Sequence, residues 1–355
     1  MIMDNFAGLS GQWADEQTAK IVVLPVPYDK TSSWVHGAEN GPEAFLEASV
    51  QLEWLDTETR TEVYRQGIHT AAPVTEDRTP ALLCAAVEER MGALWDAGKF
   101  PCMIGGNHTV SIGACRAAAK RFEHLTVLQL DAHSDLRPEY EGSELNHACI
   151  MKEAQKVAKT VQVGIRSQCI EEAENAAKST IIWAREIWED ETFGQRPASP
   201  KESWAWEKRV YNAMTENVYL TIDLDVFDPA FLPSTGTPEP GGMGYYQVLH
   251  LLRPVFERYN VVGFDIVELC PSPTRQAHAS QYLAARLAYQ LMTYKEALSR
   301  CKESPFGAVK KRNEVSCKEA LSRCKKAPLG LYTKQSEVNY TKFLTRSSLH
   351  GAKRS

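Results

Sequence analysis

In the decapeptide LQLDAHSDLR (128–137) an apolar run ends in Asp131, His133 and Asp135 on alternate positions. Residues i, i+2 and i+4 of a strand share a face, so a strand end here would aim all three side chains at one point. Carboxylates buried together are costly unless a positive charge compensates, and a divalent cation would supply it. One strand end offers three ligands, so the other donors must come from elsewhere in the chain. His108, in IGGNHTVSIG (104–113), follows another strand-like run and a glycine pair suited to a tight turn. Asp223 and Asp225, in YLTIDLDVFDP, repeat the two-residue spacing at a further run's end. A single zinc would use about four ligands and favour His or Cys. Two His and four Asp instead suit a pair of ions about 3.5–4 Å apart, with Mn²⁺ better matched than Cu or Zn. His36, His69, His124, His250 and His278 lack such neighbours and read as structural or solvated.

These residues must be held by a scaffold, and the chain spells one out. Short apolar runs recur at 21–27, 101–106, 125–130, 160–165, 180–184, 217–226 and 260–269. Amphipathic stretches such as TPALLCAAVEERMGALWDAGK (79–99) and YYQVLHLLRPVFERY (245–259) lie between several of them. Nearly continuous apolar strands alternating with helices predict an α/β fold, a doubly wound and mostly parallel sheet covered on both faces. Ligands of such sheets sit at the carboxyl ends of the strands. GGNHT, DAHSD, DLD and ELCP each close an apolar run, as that rule requires.

Composition bounds the rest. Apolar residues at 43% and charged residues at 24% mark a globular chain rather than a disordered one. No apolar run approaches the roughly 18 residues of a membrane span. The first residues carry no positively charged segment followed by an apolar core, and the nine cysteines are scattered without a CxxC pair. A cytoplasmic protein without structural disulfides or a zinc ribbon is expected. Charge is divided unevenly: residues 295–355 hold 15 Lys and Arg against 5 Asp and Glu, and residues 1–294 hold 25 against 40. The acidic body disfavours nucleic acid and favours cationic ligands. After a closing helix over 278–294, KEALSRCK occurs at 295–302 and again at 318–325. The expectation is a catalytic domain over 1–294 followed by a basic, partly helical or disordered extension over 295–355.

GGNHT, DAHSD with the following NHA, TIDLDVFDPAFLPSTGTPEPGG and DIVEL, in this order across about residues 20–294, resemble the signatures of the ureohydrolase family. These are binuclear manganese amidinohydrolases that include arginase and agmatinase. The resemblance implies a three-layer α/β/α fold, hydrolysis of a guanidino group to urea, two Mn²⁺ per chain and a homo-trimer or hexamer. It implies that one ion takes His108, Asp131, Asp135 and Asp223, and the other Asp131, His133, Asp223 and Asp225. By motif position Glu268 would orient the guanidinium and His147, in LNHAC, would shuttle protons, while Asp135 passes a proton to the departing amine. A hydroxide held between the two ions would attack the guanidinium carbon. Asn107 and Thr109 depart from the acidic residue and serine commoner in that motif, which predicts altered tuning around the ligands rather than loss of metal.

The segment DLRPEYEGSELNHA should form part of the pocket mouth. Its wording resembles agmatinases, and Arg137 stands where arginase-like members carry an asparagine. Glu139, Glu141 and Glu144 predict a net-negative rim suited to agmatine, a small cationic substrate ending in ammonium. Guanidinobutyrate, guanidine and, less favoured, arginine stay open as substrates, as does a non-catalytic metal-binding relative; a deacetylase-like hydrolase would need a single zinc and fewer carboxylates. The loop VPYDKTSSWVHGAENGPEAF (26–45) is a further candidate for the pocket wall, with Trp34 as an aromatic surface for a cation.

Overall fold

Among the described residues eight apolar segments form strands: β1 Ile21–Val26, β2 Ile68–Thr70, β3 Phe100–Gly105, β4 Leu125–Leu130, β5 Lys159–Ile165, β6 Thr180–Trp183, β7 Asn217–Asp223 and β8 Asn260–Val267. Seven coincide with the expected runs; the short β2 lies outside them. They make one parallel sheet in the order β2-β1-β3-β8-β7-β4-β5-β6. The computed structural model describes residues 5–199, 202–271 and 275–299. The basic extension expected over 295–355 lies, from residue 300 onward, outside the described residues.

Among the described residues nine α-helices connect and flank the strands: α1 Gly41–Ser49, α2 Pro80–Asp96, α3 Ser111–Ala119, α4 Ile150–Ala154, α5 Ala173–Ala176, α6 Ala184–Phe193, α7 Ala205–Ala213, α8 Tyr245–Arg258 and α9 Arg275–Ser299. Local chemistry starts α2 at the expected place. Thr79 caps it by accepting from the Leu82 N–H at 3.2 Å, and Pro80 fills the first turn, where no N–H is missed. Because strand side chains alternate, β1 feeds two cores. Ile21 and Val23 join α1, α8 and α9 residues such as Phe45, Leu252 and Tyr289. Val22, Leu24 and Val26 join α2 and α3 residues such as Leu83, Met91 and Ile112. Burial on both faces is why the strands read as unbroken apolar runs. The result is a three-layer α/β/α fold. The strand order puts β3, β8, β7 and β4 side by side at the centre, so four chain segments far apart in sequence end together on one edge.

Two local expectations are corrected. β4 stops at Leu130, so Asp131, His133 and Asp135 do not alternate along a strand. The chain turns instead: His133 bridges to Ser167, and Asp135 adopts a left-handed backbone at φ 51°. β7 likewise ends at Asp223, and Asp225 sits on a one-turn 3₁₀ helix, Leu224–Val226, which Asp223 caps.

Candidate active site

The four central strands deliver their carboxyl ends to one buried cluster. After β3, Gly106 packs so closely on the chain that a Cβ there would meet the Tyr28 carbonyl at 2.0 Å. Close approach, not an unusual turn, demands this glycine. His108 follows on a 3₁₀ turn capped by Asn107. Its Nδ1 lies 3.1 Å from Asp131 Oδ2, 3.2 Å from Asp135 Oδ2 and 3.3 Å from Asp223 Oδ2. His133 Nδ1 lies 2.9 Å from Asp225 Oδ2 and 3.7 Å from Asp131 Oδ1. The structure therefore brings all six expected ligands together. His108, Asp131 and Asp135 form one candidate metal-binding group and Asp131, His133 and Asp225 a second, with Asp131 common to both.

Hydrogen bonding aims these groups inward. Each of three aspartates gives one oxygen to a backbone N–H: Asp131 Oδ1 to His133 at 2.6 Å, Asp223 Oδ1 to Asp225 at 2.9 Å, and Asp225 Oδ1 to Ala132 at 2.9 Å. Their second oxygens face the imidazoles. Thr221 donates to Asp265 Oδ1 at 2.6 Å, so its oxygen accepts from His108 Nε2 at 2.8 Å. That places one proton on Nε2 and turns Nδ1 toward three carboxylates. Burial acts against a charged imidazole, but Asp131, Asp135 and Asp223 outweigh it and raise the His108 pKa well above its ordinary value, so Nδ1 carries a proton or faces a metal ion. His108 Nδ1 and Asp225 Oδ2 are buried without a hydrogen-bond partner. A lone pair among carboxylates is repulsive unless a cation lies between them, so the residues fit two divalent ions.

The titration of the cluster without cations points the same way. Burial, reinforced by neighbouring aspartates, pushes Asp131 and Asp223 well above the ordinary carboxylate range. Burial acts against the charged form of His133, but Asp225 and Asp131 outweigh it and raise the imidazole to about 11. Burial raises Asp225 too, yet the charge of His133, 2.9 Å away, prevails and holds it at about 2. The cluster calls for positive charge, either protons or metal.

Glu268 follows β8 with φ 66°, a strained conformation for a non-glycine residue. Its Oε1 accepts from the His108 N–H at 2.7 Å. Burial, then the charge of Asp223, raises its pKa well above the usual range. Glu268, His133, Asp135, Asp223 and His147 line one cavity of about 250 Å³. His147 Nε2 is 3.3 Å from Ser33 Oγ, and its ring meets Tyr140 edge-on at 5.8 Å. Burial lowers its pKa, so the ring is neutral at neutral pH.

The mouth differs from the acidic rim expected. Arg137 and Tyr140 line the cavity, whereas Glu139, Glu141 and Glu144 stand exposed outside its lining, with Glu144 paired to Lys156. Arg137 is drawn aside, 3.4 Å from Glu171 and over the Tyr140 ring at 4.9 Å. Ser33, Trp34 and Val35 reach the mouth from the loop after β1, with Trp34 70% exposed. Asn107 ties that loop down: its amide donates to Thr31 Oγ1 at 2.7 Å and Ser32 Oγ at 3.2 Å, while Thr109 Oγ1 meets Thr31 Oγ1 at 2.8 Å. The departure from the common motif thus bears on the mouth loop.

Residues outside the sequence-based set support the site. Gln129 donates to Asp131 Oδ2 at 2.6 Å, and Gln162 donates to Gln129 and to the Ser134 carbonyl. Arg166 donates to the Asp225 carbonyl at 2.6 Å, and Glu172 holds the loop around Asp135. The signal for several of them was a polar residue inside an apolar strand.

A family model described as "Arginase family" matches residues 19–294. The chain belongs to the arginase family. Among its arginase-family relatives is an N(1)-aminopropylagmatine ureohydrolase of Synechocystis, 40% identical over 78% of this chain and 89% of that protein. An agmatinase of Pyrococcus horikoshii is 30% identical over 78% of this chain and 93% of that protein. The solved agmatine ureohydrolase of Thermoplasma volcanium superposes with a TM-score of 0.73 at 28% identity, covering 84% of this chain and 97% of that one. The chain is a ureohydrolase of agmatinase type. Among the described residues no helix is long and apolar enough to cross a membrane.

Proposed function

We propose that this ureohydrolase uses two Mn²⁺ to hydrolyse agmatine to putrescine and urea. The observation that carries the reading is the division of labour at Glu268, where one oxygen is bound to the His108 backbone and the side chain lines the cavity beside the cation-seeking cluster. His108, Asp131, Asp135 and Asp223 would hold one ion, and Asp131, His133, Asp223 and Asp225 the other. When bound, such ions supply an acidified water as nucleophile near neutral pH and stabilise developing negative charge. Glu268 Oε2 accepts a guanidinium N–H and fixes the plane of the group, a charge-assisted contact. Asp135, lining the same cavity, would take a proton from the attacking water and hand it to the departing amine. His147, neutral and lining the same cavity, relays protons toward solvent.

Among the described lining residues no unpaired cation faces the cavity, because Glu171 and Tyr140 engage Arg137. An ammonium-ended chain is therefore tolerated, and no built site for an α-carboxylate is apparent among the described lining residues. The name of the Synechocystis relative favours a second reading, an aminopropyl-extended agmatine. The test is urea release by Mn²⁺-loaded protein from agmatine, N1-aminopropylagmatine, arginine, guanidinobutyrate and guanidine. Agmatine should lead in kcat/KM; a lead by the extended amine would move the assignment to the second reading, and no urea from any of them would reject both. A homo-trimer or hexamer, in the cytoplasm, belongs to the same proposal. Exposed Trp188, Phe193, Phe231 and Tyr246 support an oligomer, which light scattering would test.

A further inference from the structure

Asp135 reaches His108 from an unfavourable backbone conformation, and the surroundings of its neighbours explain how. The buried Glu172 carboxylate spans both sides of it. Glu172 Oε1 accepts from Ser134 Oγ and from the Leu136 N–H, each at 2.7 Å. Glu172 Oε2 accepts from the Cys169 N–H at 2.7 Å, which ties the carboxylate to the loop after β5. The Asp135 carbonyl is held from the other side by the N–H groups of Met151 and Lys152, at 3.0 and 3.2 Å. Ser134 is fixed further, through its N–H to the Ser167 carbonyl at 3.2 Å and its carbonyl from Gln162 at 2.7 Å. A left-handed aspartate persists only where its surroundings over-determine it. Here the residues before and after it share one carboxylate oxygen.

We propose that Glu172 is a positioning residue for the metal centre: by gripping Ser134 and Leu136 it sets Asp135 in the left-handed conformation that aims its carboxylate at His108, and cation binding there depends on that grip. The inference rests on the two-ion reading above. Glu172 also lines the cavity, which gives it a rival role as a substrate contact. The two roles separate experimentally. Glu172→Gln keeps the shape but brings an NH₂ group to face at least one of three donors, so at least one bond is lost. Ser134→Ala removes one donor and no buried charge, and carries the test should Glu172→Gln not yield folded protein.

The experiment titrates Mn²⁺ into metal-stripped wild type, Glu172→Gln and Ser134→Ala, following the free-ion electron paramagnetic resonance signal, with melting temperatures in EDTA and steady-state kinetics on agmatine. The expected result is two ions in wild type, with one of them loosened about 10–100-fold in Glu172→Gln, the usual range for a lost ligand-supporting partner. Ser134→Ala loosens the same ion less. Activity recovers at high Mn²⁺ with KM for agmatine unchanged. Wild-type affinity for both ions in both variants overturns the proposal, as does a raised KM with unchanged metal binding, or a lower melting temperature in EDTA as the only effect. Failure of wild type to bind Mn²⁺ removes the two-ion reading and the proposal with it; two ions in wild type with unaltered variants removes the proposal alone.

Discussion

Replacing Glu268 by Gln changes one atom and tests the guanidinium contact directly. In the native arrangement Oε1 accepts from the His108 N–H at 2.7 Å. A glutamine must keep its carbonyl oxygen there, because turning the amide would set an NH₂ against a backbone N–H in a buried place. Its NH₂ group then takes the position of Oε2 and faces the guanidinium, donor against donor. Losing a hydrogen bond to a charged partner costs about 1.5–3 kcal/mol, and leaving a buried donor unsatisfied adds about 1–3 kcal/mol. The sum, about 2.5–6 kcal/mol, corresponds to a loss of roughly 10²- to 10⁴-fold in kcat/KM. Mn²⁺ content should stay at the wild-type value, because the position of Glu268 places it outside both ligand groups. The melting temperature should not fall, since the change removes a buried charge while the His108 contact survives. Urea release at saturating Mn²⁺, with metal content measured on the same sample, checks all three expectations. A kcat/KM within fivefold of wild type would refute the assigned role, and a lost ion would show that Glu268 serves the metals instead.

The remaining predictions concern the surroundings of the same cluster. In EDTA, raised Asp131, Asp223 and Glu268 bind more protons in the folded state than in the unfolded state above about pH 4, so stability falls as pH rises. His133, raised to about 11, adds loss above its unfolded value of 6.5, whereas the depressed Asp225 acts only below about pH 4. The gain in melting temperature on adding Mn²⁺ should therefore widen from pH 5.5 to 8, and a flat difference would refute the account. Asp265→Asn can donate to Thr221, which would then donate to His108 Nε2 and move the imidazole proton to Nδ1; Mn²⁺ affinity should drop about 10–100-fold in a titration. Asn107→Ala frees the mouth loop, and should cost about 1–3 kcal/mol in urea unfolding and raise KM with metal content unchanged.

What the sequence revealed and what it concealed divide along a physical line. The strands were legible because burial on both faces leaves no room for alternation, and IVVLPV or LTVLQL can hardly be read otherwise. β2 was missed because three residues, Ile68–Thr70, on an edge strand carry too little pattern. The convergence of His108, Asp131, His133, Asp135, Asp223 and Asp225 was inferred from residue type, spacing and resemblance, yet the alternation first invoked was not the mechanism. Asp131, His133 and Asp135 meet because the chain leaves β4 and turns, with Asp135 left-handed. The mouth was misread for a related reason. Charge counted along DLRPEYEGSELNHA says nothing of which side chains face inward, and the glutamates face out while Arg137 lines the cavity.

The strands themselves held a signal that spacing arguments passed over. Gln129, Gln162, Thr221 and Asp265 are polar residues within runs buried on both faces. Such a group is costly unless hydrogen-bonded, so each predicts a partner inside the core. The partners prove to be Asp131, Ser134, His108 and one another. Two strand-borne amides thus fix the loop after β4, and a hydroxyl–carboxylate pair sets the His108 proton. The candidate metal centre combines its expected ligands, at or just past strand ends, with polar strand residues behind them. The second set is what converts a cluster of acids into a site with fixed lone pairs.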